Sequence, residues 1–512
     1  MTGTTRILLL LLAASAALAV FSYTRVDKSE YSSAQAAAQN IALQWPAIRH
    51  AEQIEDAAAR CMAYPDLPGL SWKREQVEAT CRWQSFRFVK ANEIKIALDN
   101  GQVETIEKTF QAYLDQNLVD PTRHGLIHRA YGDLFANSSA ETRAIVEEWT
   151  RLAPQSAFAL AARGSYELAA GWDARGSDFA PETPQANMDT MHVLMQQAHR
   201  DLLDALRINP RLGWAHAQLI NMSKAFGDKA LLDRSVEAGL KIDPADERIY
   251  IEWMTASEPR WGGSLQAMQT VAARAGAHIA ENPYLALLAE KPQSYKAVIA
   301  WQHHDLPAAL ELFDKALAVA PSGNDFENAG DTAYQAGQLQ RAVLYYSQAY
   351  RFGAGAESFS WRAKALVDMG QPELAAQSLE GKALERTRST QGLVSVAAAL
   401  HSLHRDREAE TLLARILESH PRDRDTLDLL ARVYLDSNPR QLDKSQPVID
   451  KLTAYYPNYA RGWLLNGVGK PDKECHEALR KYLELADSQD PQERDNLIRA
   501  KKRLAELERN KP

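Results

Sequence analysis

The side chains best suited to chemistry in this sequence are histidines in pairs and arginines beside tryptophans. His124 and His128 stand four apart, the spacing of a helical metal pair, but no Glu or Asp completes a zinc site at HExxH spacing. His303–His304 and His401–His404 are likewise isolated pairs, read as helix-terminal or solvated imidazoles. Arg163–Gly164, Trp172, Arg175–Gly176 and Trp261 form a looser set. A guanidinium there can hold a carboxylate or phosphate bidentately. It can equally pair with Asp173, Asp178 or Glu182 and pin a loop. No GxSxG, GxxxxGK[ST], GxGxxG, Cys–His nucleophile or kinase set is present. Catalysis therefore has no positive support, no cofactor is called for, and binding is the expected activity.

Ordinary globular fractions frame these residues, with 46% hydrophobic and 24% charged. A net charge of -7 argues against a nucleic-acid footprint. Ala, Leu and Gln abound and strand-like alternation is scarce, so an all-α chain is expected. The run from Ile7 to Tyr23 is 17 apolar residues flanked by Arg6, Arg25 and Lys28. It reads either as a signal peptide with Ala17-Leu18-Ala19 as its cleavage site or as an uncleaved anchor. Either reading exports the rest of the chain, anchored in the inner membrane facing the periplasm or secreted there after cleavage. Cys61 and Cys81 bracket a Pro/Gly turn and an amphipathic stretch, an arrangement that suits a disulfide in an oxidising compartment. Three unpaired thiols, Cys475 included, are the alternative.

A period then appears. The segments at 305–321, 337–354, 370–383 and 405–421 align on Ala309, Ala342, Ala375 and Ala409, at steps of 33, 33 and 34 residues. Small residues allow paired helices to cross closely, and the bulky residues Phe313, Tyr346, Leu379 and Leu413 fill the space beside them. The pattern resembles the tetratricopeptide repeat, a helix–turn–helix unit that stacks on its neighbours. The resemblance implies a right-handed α-solenoid of tetratricopeptide-like hairpins behind an N-terminal membrane or signal segment. The expected organisation is a leader over 1–30, an irregular helical region over 31–154 and degenerate repeats over 155–290. Clearer repeats follow over 290–457, then a final repeat and capping helix over 458–512.

Within the degenerate part, residues 173–187 separate two helices by more than a repeat turn allows, and read as an inserted loop. With Arg163, Trp172, Arg175 and the Trp261-Gly262-Gly263-Ser264 stretch, residues 155–290 resemble an uncharacterised bacterial family, domain of unknown function 4034. That resemblance carries no catalytic assignment.

Tetratricopeptide arrays line a groove with first-helix residues. By register the groove here presents Trp301, Gln302, Asn324, Glu327, Asp331, Tyr334, Ser360, Lys364, His401 and Arg432. The Lys/Asn/Arg clamp with which chaperone-binding members hold a terminal carboxylate is absent, because Ser294, Val298, Glu327 and Asp331 stand at its positions. The expected function is an envelope-associated scaffold that binds a protein or peptide, touching the membrane only through its N-terminal segment. The alternative is ligand binding or hydrolysis at the 163–182 insertion.

Overall fold

Serine and aspartate start many of the helices. Ser139, Ser156, Asp246, Ser264, Asp305, Ser322 and Asp423 each accept a hydrogen bond from the backbone N–H three residues on, satisfying a donor the first turn leaves unpaired. Prolines mark the other end. Pro210, Pro244, Pro421 and Pro457 each follow a second helix by one or two residues, since the residue before proline is driven out of the helical region. The computed structural model describes residues 41–176, 183–354, 357–380, 387, 390–469, 472–486 and 493–509. Outside them fall the apolar run 7–23, on which the leader was read, and the loop's Asp178 and Glu182. No described helix is long and apolar enough to cross a membrane.

The described chain is helical throughout, without strands. From Ala157 onward the helices come as antiparallel pairs. Ala157–Arg175 lies against Gln185–Ile208, Gly213–Phe226 against Lys229–Ile242, and Lys291–Gln302 against Leu306–Leu317. Gly323–Gln335 with Leu339–Arg351, Glu357–Asp368 with Pro372–Ser378, Thr390–Ser402 with Asp406–Ser419 and Arg424–Asp436 with Leu442–Tyr455 continue the series. Burial follows the sequence period. Ala309, Ala342, Ala375 and Ala409 are fully buried in the second helices, as are Ala297, Ala363 and Ala397 in the first. Phe313, Tyr346, Leu379 and Leu413 fill the space between them, each burial worth about 1.5–3 kcal/mol. The helix Arg494–Arg509 packs on Asp472–Leu485 and ends the described chain.

The Arg-Gly pair at 163–164 has a packing cause. A Cβ at Gly164 would stand 3.0 Å from Leu202 Cγ, so glycine lets Ala157–Arg175 approach its partner helix closely.

Most of residues 41–84 pack far along the chain rather than on the helices that follow them in sequence, although Trp83 stands against Gly125 and stacks on Tyr284. They join the core of the hairpins between 297 and 434, whereas Ile94 through Leu231 build a separate core. The Cys61–Cys81 disulfide links the helices Ala57–Ala63 and Arg74–Trp83. The attachment is polar as well as apolar. Arg362, fully buried, donates to Glu52 Oε1 at 2.7 Å and to the hydroxyls of Ser347 and Ser378. Arg351 donates to the Cys61 carbonyl and to Asp66. The Trp72 indole N–H donates to the Leu317 carbonyl, and the Trp45 indole to Gln377. These anchors lie largely on second helices, so the opposite, first-helix side is left uncovered by this segment.

Candidate functional site

The first helices Glu357–Asp368, Thr390–Ser402 and Arg424–Asp436 present residues three, four and seven apart along one side. Ser360, Trp361 and Lys364 come from the first, Gln391, Val394, Ser395 and Ala398 from the second, and Asp425, Asp428 and Arg432 from the third. Tyr459 and Arg461, at the start of the next unit, close the end. Together they enclose a cavity of about 210 Å³. Helical spacing puts i, i+3 and i+4 on one face, and stacking consecutive hairpins aligns those faces into a groove.

The floor is apolar and the walls are polar. Trp361 is 38% exposed and stands in the groove. Arg432 Nε donates to Asp428 Oδ2 at 3.0 Å, the Tyr459 hydroxyl donates to Asp428 Oδ1 at 3.4 Å, and Arg461 stands 3.7 Å from the same carboxylate. Burial, and then the Asp428 charge, push the Tyr459 hydroxyl up to about 12, so it remains a donor. Lys364 loses charge preference through burial, but its hydrogen bonds to Tyr334 and Asp368 more than restore it and raise its pKa. The lining thus carries both signs of charge. Ser360 is 2% exposed, lines the cavity, and its hydroxyl has no hydrogen-bond partner among the described residues. An unpaired buried hydroxyl is costly unless something else satisfies it.

Of the groove residues expected from sequence, Ser360, Lys364 and Arg432 line this cavity. The others stand elsewhere. The Tyr334 hydroxyl donates to Asp368 at 2.5 Å and ties one hairpin to the next. Glu327 accepts from Ser358 and Asp331 from Tyr346, and burial raises both carboxyls. His401 sits between Asp406 and Asp436. Trp301 and Gln302 are exposed two hairpins before the cavity, and Asn324 is exposed one hairpin before it. Sequence reasoning missed Trp361, Gln391, Val394, Ser395, Asp425, Asp428, Tyr459 and Arg461. The available signal was the i, i+3, i+4, i+7 set from Gln391 to Ala398, which His401, chosen by register three residues further on, continues.

The second expected site is internally partnered. The Arg163 fork is occupied by Asp201, with Nε to Oδ2 at 2.5 Å and Nη2 to Oδ1 at 2.7 Å. The partner is thus not Asp173, which accepts from Ser138. Arg175 donates to the Gly176 carbonyl. Trp172 donates to Asn221 and meets Trp261 edge-on at 5.6 Å.

No family model matches the chain, so the resemblance of residues 155–290 to an uncharacterised family has no support there, and no curated protein matches it either. Solved structures similar to it include a tetratricopeptide repeat protein from Parabacteroides merdae, at 14% identity, covering 57% of this chain and 98% of that one, with a TM-score of 0.34. Yeast Tom70 is 11% identical, covering 82% of this chain and 94% of its own, with a TM-score of 0.36. YrrB, described as a TPR protein with an unusual peptide-binding site, is 22% identical over 33% of this chain and 88% of its own, with a TM-score of 0.26. The hairpins, their 33–34-residue step and their buried alanines define the class, a tetratricopeptide-like α-solenoid.

Proposed function

We propose that this protein is a scaffold that captures a polypeptide segment in the groove of its first helices between Ser360 and Arg461. The observation that carries this is the cavity across three consecutive hairpins with an unsatisfied buried Ser360 hydroxyl in its wall. An extended segment fits the lining. An apolar side chain would rest on Trp361, Val394 and Ala398, while its amide groups meet Ser360, Gln391 and Ser395. Mixed charge at Lys364, Asp425, Asp428 and Arg432 suits a polar, uncharged backbone better than a phosphate, which would want excess cation. An exposed tryptophan is the kind of side chain on which binding energy concentrates.

The test places a photo-cross-linking residue at position 361, or at 415 on the exposed second-helix side, in cells of the native host. Adducts from 361 that vanish in the Lys364→Ala, Arg432→Ala double variant support the reading. Adducts from 415 alone, or from neither, refute it.

The proposal extends to location. The apolar run 7–23 and the Cys61–Cys81 disulfide, a bond favoured in oxidising compartments, support an envelope protein whose body faces outward. Alkaline phosphatase fused to the C-terminus should then be active. An inactive fusion beside an active cytosolic β-galactosidase fusion would overturn the location and leave the groove untouched.

A further inference from the structure

The histidines at 124 and 128 have no carboxylate at HExxH spacing, but the fold brings Asp246 and Glu247 to His128. The starts of the helices Leu126–Phe135 and Glu247–Ala256 converge. There a nitrogen of His128, an oxygen of Asp246 and an oxygen of Glu247 lie within 4.8 Å of one another. All three residues are buried, 3%, 3% and 2% exposed. Asp246 caps its helix through Oδ1, which accepts the Ile249 N–H, leaving Oδ2 3.0 Å from His128 Nε2. Glu247 accepts from Asn282 through Oε2. Its Oε1 has no hydrogen-bond partner among the described residues, and neither does His128 Nδ1.

We infer that His128, Asp246 and Glu247 form a structural site for a divalent transition-metal ion, joining the helix that starts at Leu126 to the hairpin that starts at Glu247. The donor set is one imidazole and two carboxylates, which suits zinc. Two carboxylates supply the two negative charges that a divalent cation requires, so the filled site is neutral with a neutral imidazole. The separation of His128 Nε2 and Asp246 Oδ2 is close to that of two donors each about 2 Å from one ion. The Glu247 oxygen lies within 4.8 Å of both of these donors.

A competing account is a plain buried ion pair between His128 and Asp246. It explains the 3.0 Å contact but leaves Glu247 Oε1 buried and unsatisfied, a state that native interiors avoid. The helix starts present partial positive charge, which opposes a cation. Two full carboxylate charges outweigh those partial ones. Burial leaves little room for substrate, so the site is structural rather than catalytic.

The test uses the untagged full chain, stripped with a chelator and titrated with zinc alone in competition with a chromophoric indicator. One equivalent should bind and raise the melting temperature. The isosteric Glu247→Gln variant, checked for unchanged helical signal, should lose affinity by more than about 100-fold, exceeding the usual cost of an outer-sphere change. His401→Ala, which removes the surface cluster with Asp406 and Asp436, should leave affinity unchanged. Zinc-edge X-ray absorption on the wild type should show imidazole and oxygen donors without sulfur, and needs no variant to fold. Absence of stoichiometric binding, an unaltered affinity in Glu247→Gln, loss in His401→Ala, or sulfur in the shell would each overturn the inference.

Discussion

Glu167 shows how the fold sets the charge of a single side chain. Burial, and then the neighbouring Asp201 charge, raise its carboxyl to about 8, with Arg163 and Arg200 pulling the other way. Its Oε2 has no hydrogen-bond partner among the described residues. Arg163 already commits its fork to Asp201, so the nearest cation is largely neutralised. The folded pKa lies above the unfolded one of about 4.3. Stability from this group is therefore fully present below pH 4.3 or so and is lost as pH rises through about 8. Glu167→Gln cannot ionise. Its melting temperature relative to wild type should match at pH 4 and gain steadily as pH rises toward 8, as thermal scans across that range would show. A constant difference would place the effect in packing. The sequence displayed Arg163 but not its partner, because Asp201 is 38 residues away and becomes a neighbour only once the two long helices pair.

At the scale of the element, the hairpin turn explains residues whose chemistry had suggested ligands. His304 and His404 adopt φ of 58° and 57°, and Gly337 and Gly370 adopt 71° at the equivalent turns. The four positions repeat at the alanine step of 33, 33 and 34 residues. Each stands at the left-handed residue between the first and second helix, where glycine carries no steric cost. The pairs His303–His304 and His401–His404 were thus placed at helix ends by their sequence, and the structure supplies the backbone reason. His404→Gly should stabilise the protein by about 1 kcal/mol, and Gly370→Ala should destabilise it by about the same. No atom lies within 4 Å of a Cβ at Gly370, so the loss would be conformational. Chemical denaturation of both variants checks the pair, and equal stability in either would contradict the turn assignment. The repeated elements were legible because small residues at a fixed step are a local signal. The attachment of 41–84 was not, because Glu52 finds Arg362 across 310 residues and no periodicity announces it.

At the scale of the whole molecule, the chain folds back so that residues 41–84 brace the hairpins between 297 and 434. Arg362 links that brace to the groove. It is next to Trp361 in sequence, yet its guanidinium runs inward to Glu52 while Trp361 faces the groove. Removing Glu52 would leave a buried cation unpaired, so the brace holds the first helix Glu357–Asp368 in place. The groove was legible in its helices and in Ser360, Lys364 and Arg432. Trp301 stands two hairpins before the cavity and Asn324, Glu327, Asp331 and Tyr334 stand one before it, since exposed aromatics stand out in sequence while a cavity depends on how hairpins stack. The most direct measurement of the groove's role is a titration of the cross-linked partner's segment, as a labelled peptide, onto the full chain. The account predicts saturable 1:1 binding that weakens at least about 10-fold, roughly 1.4 kcal/mol, in Trp361→Ala and again in Arg432→Ala. Unchanged affinity in both variants, with the peptide still saturating, would show that the partner binds elsewhere on the solenoid.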